Sequence, residues 1–266
     1  MKIIISPAKK MNIDTDTLAY RSMPVFLSEA KALLEWLRSL SYSEAKELWK
    51  CNEKIAQHNY RRVQEMELER NLTPAVIAYE GIQYQYMAPA VFDGGQMEYI
   101  QEHLRILSGF YGVLRPFDGV APYRLEMQAK GPGPGGLYEF WGDKLYRELV
   151  REERSGPGAD AGGGAQAGCC GKKGGFILNL ASKEYSKCVE KYLAPEDKCL
   201  SVVFGELAEG KVKQKGTLAK MARGEMVRYL AENRVETPEK LKGFDCLGYS
   251  FEEALSTENE YVFLKK

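Results

Sequence analysis

Short runs of strand-forming residues alternate with longer segments of helical periodicity along most of this chain. The first run, Lys2–Ile5, contains three consecutive isoleucines and is ended by Ser6-Pro7, which is typical of a buried strand. Such alternation predicts a mixed α/β fold, in which one mixed β-sheet is covered by helices. Further strands are predicted at residues 75–79, 111–114, 176–180 and 200–204, and helices at 96–107, 138–153, 182–192 and 217–233.

The length of the chain predicts one domain over residues 1–266. A chain of 266 residues can bury roughly 70–75% of the surface that its unfolded state exposes, enough for one large core. Residues 155–175 are an exception, because a segment so rich in glycine and alanine cannot bury enough surface to order itself. We predict a flexible insertion there, and Cys169-Cys170 within it is expected to be incidental.

The segment between residues 27 and 66 has a helical pattern. Ser41 and Glu44 have the spacing of a capping box, and Cys51-Asn52 separates helices predicted at 43–50 and 53–65. Two helices across so short a turn resemble a helix-hairpin-helix, whose amides hold a DNA phosphate without reading sequence. The turn lacks the Gly-x-Gly of that module, and two packed amphipathic helices explain the pattern equally well.

The composition narrows the classes of function. The 37 basic and 37 acidic residues cancel, so anion binding must come from local clustering of cations. The chain has only two histidines, and its six cysteines show no C-x-x-C spacing, so we predict no metal and no cofactor.

The hydropathy of the chain indicates where in the cell the protein is found. No stretch approaches the roughly 20 apolar residues of a membrane span, and the first apolar run is too short for a signal peptide. We expect a cytoplasmic protein without membrane association, whose thiols stay reduced.

The densest cluster of cations lies at residues 211–234, where seven Lys or Arg residues face only Glu225 and Glu232. On a helix, Lys220, Arg223 and Arg234 share a broad face, and Arg228 lies nearer its edge. Such a face attracts phosphates through Coulomb attraction and counterion release. The simpler alternative is a solvated helix surface.

A second group of cations lies among aromatic residues in a loop-rich stretch. Arginine beside aromatic rings suits stacking on bases and gripping phosphates. Alternatively, the rings belong to the core and the arginines pair with Asp118 and Glu126. The cations are Arg105, Arg115, Arg124 and Lys130, and the aromatic residues are Phe110, Tyr111, Phe117 and Tyr123.

Polar residues follow the first strand and the strand at 176–180. Lys9 could bind a phosphate or, if desolvated, act as a nucleophile, although an exposed loop lysine is the simpler reading. Ser182 suits a helix N-cap, a role that needs no ligand. These positions also allow an enzyme that acts on a nucleotide or another small anionic metabolite. Its pocket would comprise Ser6, Lys9, Tyr123, Arg124, Glu126 and Asn179.

Several long motifs together resemble the YaaA family of bacterial peroxide stress proteins. They are ISPAK at 5–9, HLRILSGFYGVLRPFDGVAPYRLEM at 103–127, LYEFWGDKL at 137–145, ILNLASKEY at 177–185, AKMARGEMVRYLAENR at 219–234 and GFDCLGYSF at 243–251.

The resemblance implies a single-domain α/β protein that binds duplex and branched DNA through a positively charged cleft and a helix-hairpin-helix element. It also implies a role in surviving hydrogen peroxide, through low free iron and less oxidative damage. A DNA-binding monomer is therefore expected rather than an enzyme. By motif position, the cleft would be lined by Lys9, Arg105, Arg115, Arg124, Lys183, Lys220, Arg223, Arg228 and Arg234.

Overall fold

The computed structural model describes residues 1–154 and 176–266, so the insertion predicted at 155–175 and Cys169-Cys170 lie outside the described residues. The strands are β1 (Lys2–Ile5), β2 (Lys10–Met11), β3 (Thr73–Pro74), β4 (Tyr79–Glu80), β5 (Leu104–Ser108), β6 (Gly112–Leu114), β7 (Gly119–Val120), β8 (Phe176–Asn179), β9 (Lys198–Ala208), β10 (Lys211–Lys213), β11 (Tyr249–Phe251) and β12 (Glu260–Lys265). The helices are α1 (Leu27–Ser39), α2 (Tyr42–Trp49), α3 (Glu53–Glu65), α4 (Ala75–Ala78), α5 (Ile82–Met87), α6 (Gly94–His103), α7 (Gly136–Trp141), α8 (Lys144–Arg154), α9 (Lys183–Glu190), α10 (Gly216–Glu232) and α11 (Pro238–Leu241).

An eight-stranded mixed sheet forms the centre of the fold. Its order is β11-β12-β9-β8-β1-β5-β6, and β10 pairs with β9. Strands β5, β1, β8, β9 and β12 run parallel, whereas β6, β10 and β11 pair antiparallel to their neighbours. The prediction of a mixed sheet with helices is confirmed.

The central position of β1 explains its unbroken apolar sequence. Ile3, Ile4 and Ile5 are fully buried between β5 and β8. A parallel strand has both faces covered, so it lacks the alternation of apolar and polar residues seen in half-exposed strands. Because β1, β5 and β8 are parallel, their carboxyl ends meet at one edge, where ligands bind in open α/β sheets.

The two helices predicted around Cys51-Asn52 are present as α2 and α3. Ser41 caps α2 in a capping box with Glu44, and the Asn52 side chain accepts the amide of Ile55 at the start of α3. The function of this helix pair as a DNA-binding hairpin stays a prediction.

Two of the predicted elements are wrong because tertiary contacts override local propensity. Residues 75–79 were expected to form a strand, but Ala75–Ala78 is one helical turn. The amides of Ala75 and Val76 donate to the carbonyls of Asp118 and Pro116, both at 2.9 Å. Strand pairing lies on either side of this turn, in β3 before it and in β4, which begins at Tyr79. The helix expected at 96–107 ends at His103, and Leu104–Ser108 becomes β5 because it pairs with β1.

Other boundaries also differ from the predictions. The helix expected at 138–153 is two helices, α7 and α8, separated at Gly142 (φ +50°). Strands β11 and β12, which extend the sheet beyond β9, were not predicted. Within the described residues, no helix is long and apolar enough to cross a membrane.

Candidate functional site

A cavity of about 410 Å³ lies beside the segments that follow β1 and β8. The loop after β1, the start of α5, residues 123–126, the start of α9 and the first half of α10 contribute its walls. It is therefore assembled by the fold from segments far apart in the chain. Its lining includes Ser6, Lys9, Lys10, Glu80, Gln83, Tyr84, Tyr123, Arg124, Glu126, Ser182, Glu184, Tyr185, Lys220 and Arg223.

Cations from separate segments converge on this cavity. Lys9, whose side chain is 65% exposed, lies 2.9 Å from Glu126 Oε2. Arg124 is only 13% exposed, and its Nη2 lies 3.3 Å from Glu126 Oε1. From α10, Lys220 and Arg223 reach the same cavity. Lys9 and Arg124 thus flank the Glu126 carboxylate, and Lys220 and Arg223 add two further cations to the same cavity.

Several buried polar atoms at this cavity lack a hydrogen-bond partner. In the described part of the chain, six buried side-chain nitrogen or oxygen atoms have none, and four of them belong to residues that line the cavity. Buried polar atoms are hydrogen-bonded in the great majority of cases, so their concentration at one cavity makes it the candidate binding site. The four atoms are Arg124 Nε, Arg223 Nε, Gln83 Nε2 and Glu126 Oε1.

Burial perturbs the charged groups at the cavity. Desolvation lowers the pKa of Arg223, although an arginine remains protonated at neutral pH. The pKa of Glu184 is raised by burial and by the nearby charge of Glu126, while Lys9 opposes the shift. A bound anion would stabilise the Arg223 cation, whose solvation by water is reduced.

Buried tyrosines form part of the wall. Tyr123 Oη lies 2.7 Å from Ser108 Oγ and 2.8 Å from Tyr79 Oη, and Tyr84 Oη donates to the carbonyl of Ser6 at 3.0 Å. Burial raises the pKa of Tyr123 to about 12 and that of Tyr84 well above its ordinary value. These phenols are neutral at physiological pH, and their hydroxyl groups hold the wall together.

The residues predicted for a small-ligand pocket are largely brought together. Ser6, Lys9, Tyr123, Arg124 and Glu126 line the cavity, but Asn179 does not. The Asn179 amide donates to Glu190 Oε1 at 2.9 Å and to Ser201 Oγ at 3.2 Å, and its oxygen accepts the amide of Ala181 at 2.9 Å. Asn179 therefore shapes the turn after β8.

The nine cations expected to line a DNA-binding cleft are divided by the structure. Lys9, Arg124, Lys220 and Arg223 line the cavity, and Lys183 is exposed between two lining residues, Ser182 and Glu184.

The remaining four of these cations lie elsewhere. Arg105 and Arg115 border a second cavity of about 200 Å³ with Asp118 and Glu148. Arg105 is 3% exposed and donates to the Leu104 carbonyl at 2.6 Å. On α10, Arg228 pairs with Glu232 at 2.8 Å. Arg234 lies just after the end of α10, and its side chain approaches Gly95. These side chains do not border the first cavity.

Some lining residues gave no signal in the sequence. Gln83 lies in the short helix α5, where nothing in the residue pattern points to a ligand. Glu184 follows Lys183 on α9, and its position in the sequence does not distinguish it from a solvated helix residue. Lys10 is paired with Glu80 at 2.6 Å on the rim, a contact between segments that periodicity cannot predict.

The described residues offer little for metal or thiol chemistry. Among residues 1–154 and 176–266, no group of three or more His, Cys, Asp or Glu side chains could hold a metal ion. Burial raises the pKa of both Cys188 and Cys199 to about 12, which makes these two thiols poor nucleophiles at neutral pH.

The fold and the cavity define a mixed α/β protein with a candidate site for an anionic ligand beside the carboxyl ends of parallel strands. A family model described as "Peroxide stress protein YaaA" matches residues 1–255. The chain belongs to this family, and the resemblance seen in the motifs is confirmed.

Relatives described as "UPF0246 protein" are similar over their full length. One from Agathobacter rectalis is 53% identical, covering 100% of this chain and 99% of the relative. One from Lachnoclostridium phytofermentans is 52% identical, covering 100% and 96%. A third, from Limosilactobacillus reuteri strain DSM 20016, is 49% identical, covering 99% and 98%.

Proposed function

We propose that this peroxide stress protein binds double-stranded and branched DNA with little sequence preference, as a monomer in the cytoplasm. The cavity at the strand ends is the centre of the interface. There Lys9, Arg124, Lys220 and Arg223 hold backbone phosphate. The observation that carries the proposal is the convergence of these cations on one cavity in which Arg124 Nε and Arg223 Nε are buried without partners.

Phosphate is the anion that fits this arrangement in a nucleic-acid complex. A guanidinium group donates in a planar fork that matches phosphate oxygens, and such charge-assisted bonds are stronger than neutral ones. Contacts of this kind position the protein but carry no base information, so binding with little sequence preference follows.

The same interface accounts for protection against iron-driven damage. Duplex DNA carries a condensed layer of counterions, and cations of a bound protein release them. Ferrous iron held at phosphates is one such counterion. Bound DNA should therefore suffer less cleavage by iron and peroxide, in proportion to the fraction of DNA covered.

The helix pair α2 and α3 is proposed as a second contact with the DNA backbone. Lys50 and Lys54 are exposed at or beside the short turn, and Lys50 adopts a left-handed conformation (φ +45°). If the hairpin contacts phosphate, Lys50→Gln and Lys54→Gln should each reduce the slope of log Kd against log salt by about 1, which corresponds to one phosphate contact. An unchanged salt dependence in both variants would confine the interface to the cavity.

Fluorescence anisotropy with labelled duplexes of unrelated sequence, and with a four-way junction, tests the proposal. Non-specific binding of this type has a Kd of about 10⁻⁴–10⁻⁶ M at physiological salt. We expect similar affinities for all the duplexes and a decrease as salt is raised. No salt-dependent binding up to the high micromolar range would contradict DNA binding.

A second candidate function is that of an enzyme acting on a free nucleotide or another small anionic metabolite. Glu126 favours it, because this carboxylate lines the same cavity as Tyr123, is paired with Lys9 and Arg124, and has one buried oxygen that makes no hydrogen bond. Native mass spectrometry of protein purified without added ligand distinguishes the two. A bound small anion supports the enzyme, whereas co-purified nucleic acid supports the DNA-binding protein.

A further inference from the structure

We propose that the cavity at the strand ends holds one whole nucleotide unit, base as well as phosphate. The inference deepens the proposed function and rests on it for one source of the nucleotide, a residue turned out of the DNA stack. A free nucleoside monophosphate is the other source of the same chemistry.

The size of the cavity is the first observation. A volume of about 410 Å³ falls in the range of about 300–1,000 Å³ found for sites that enclose a small molecule. A backbone phosphate that lies along a protein surface needs no cavity of this size. The cavity therefore offers room for more than the phosphate.

The chemistry of the unpaired atoms is the second observation. Arg124 Nε, Arg223 Nε and Gln83 Nε2 are donors. Glu126 Oε1 is an acceptor that makes no hydrogen bond, although its charge is balanced by Arg124 Nη2 at 3.3 Å. A phosphate presents acceptors, so it satisfies the donors but repels the carboxylate. The edge of a nucleobase presents N–H donors as well as acceptors, so it can bond to both Gln83 and Glu126. A nucleotide therefore carries both kinds of partner that these atoms require, whereas phosphate alone carries only acceptors.

The tyrosine wall is the third observation. The hydroxyl of Tyr123 is engaged by Ser108 and Tyr79, and that of Tyr84 by the Ser6 carbonyl. Tyr84, Tyr123 and Tyr185 line the cavity, and the Tyr123 ring is packed against Phe110, so these residues give the cavity a rigid, partly apolar wall. Such a wall suits the apolar faces of any base, which agrees with weak sequence preference.

Isothermal titration calorimetry with deoxycytidine 5′-monophosphate, deoxyribose 5-phosphate and inorganic phosphate tests the site itself. We expect the nucleotide to bind at least about tenfold more tightly than the two ligands that lack a base. Gln83→Met, which keeps the side-chain volume but removes the donor, should reduce this preference about fivefold to tenfold.

Gln128→Met is the matched control, because it removes the same amide from an exposed side chain outside the lining. Thermal unfolding of each variant verifies that it is folded. If Gln83→Met does not fold, Glu126→Gln provides a second test of the same preference for the nucleotide. Equal affinity of wild-type protein for the nucleotide and for deoxyribose 5-phosphate would overturn the inference.

A duplex that contains pyrrolocytosine, a cytosine analogue that brightens when unstacked, identifies the source. A rise in fluorescence that saturates with DNA binding supports an everted nucleotide. If the free nucleotide binds in calorimetry but the fluorescence of the duplex stays unchanged, the site exists and its ligand is the free nucleotide.

The two proposals fail separately. Nucleotide binding without any DNA binding would contradict the proposed function and leave the nucleotide site standing. DNA binding with neither a nucleotide preference nor a fluorescence change would support the proposed function and contradict the nucleotide site.

Discussion

Gly224 of α10 lies directly against the carbonyl oxygen of Gln83 in α5. A Cβ atom at Gly224 would lie 2.1 Å from that oxygen, closer than any real contact. Only glycine allows the two helices to approach so closely, and this approach places Arg223 and Gln83 at the same cavity. A packing contact thus determines the geometry of the candidate site.

Gly224→Ala should therefore destabilise the protein and weaken ligand binding together. Overpacking of this kind costs about 1–3 kcal/mol, and the shift of α5 away from α10 separates Gln83 from Arg223. Thermal unfolding and DNA binding measure the two effects. Gly216→Ala, on the same helix but with open space around it, is the control and should change neither. Full stability in Gly224→Ala would contradict the contact.

The buried tyrosines predict a loss of stability at alkaline pH. Burial raises the pKa of Tyr123 to about 12, and those of Tyr79, Tyr84 and Tyr185 well above the ordinary value. The folded state keeps these protons while the unfolded chain releases them above about pH 10. Stability is therefore complete below pH 10 and falls as the pH rises through the folded pKa, by about 1.4 kcal/mol per pH unit for each phenol.

Chemical denaturation between pH 8 and 11.5 measures this dependence. Tyr123→Phe should make it shallower by the contribution of one phenol, whereas Tyr20→Phe, at an exposed position, should not alter it. A free energy of unfolding that is constant across this range would show that the phenols are accessible to water.

Two thiols are expected to be unreactive in the folded protein. With a pKa of about 12, only about 10⁻⁵ of Cys188 or Cys199 is thiolate at pH 7, and the thiolate is the nucleophile. Iodoacetamide labelling followed by peptide mass spectrometry should modify both positions far more slowly in native protein than in guanidinium chloride. Rapid native labelling of either would show a reactive thiol that the buried geometry does not explain.

Arg105 should contribute to stability rather than to DNA binding. Its guanidinium group donates to the carbonyls of Leu104 and Gln101 from a position that is 3% exposed. Arg105→Gln leaves those acceptors without a charged donor and should cost about 2–3 kcal/mol of unfolding free energy. Arg228→Gln, which breaks an exposed pair with Glu232, should cost no more than about 0.5 kcal/mol. Equal melting temperatures for the two variants would contradict this assignment.

The sequence predicts the layers of the fold better than the composition of the site. Three consecutive isoleucines identify β1 because a central parallel strand is apolar on both faces. The pattern predicts a helix through residue 107, since Leu104, Ile106 and Leu107 suit either period, and only pairing with β1 decides between helix and strand. Local patterns could not separate elements that tertiary contacts define.

The residues of the candidate site can also be predicted only in part from local sequence patterns. Ser6 and Lys9 could be proposed from their position after β1, because the ends of parallel strands collect functional groups. Gln83 could not be proposed from the sequence, since it reaches the cavity only because α10 packs closely against α5 at Gly224. Arg105 and Arg223 look alike in the sequence, yet one is buried in contacts with carbonyls and the other borders the cavity.

The slope of log Kd against log salt for wild-type protein, Lys220→Gln and Arg228→Gln tests the central claim most directly. Both variants remove one positive charge from α10, but only Lys220 lines the cavity. If the cavity holds DNA phosphate, Lys220→Gln should weaken binding to all sequences alike and reduce the slope by about 0.9, and Arg228→Gln should keep the wild-type slope. Equal slopes for wild type and Lys220→Gln, or a reduction in Arg228→Gln alone, would contradict the account.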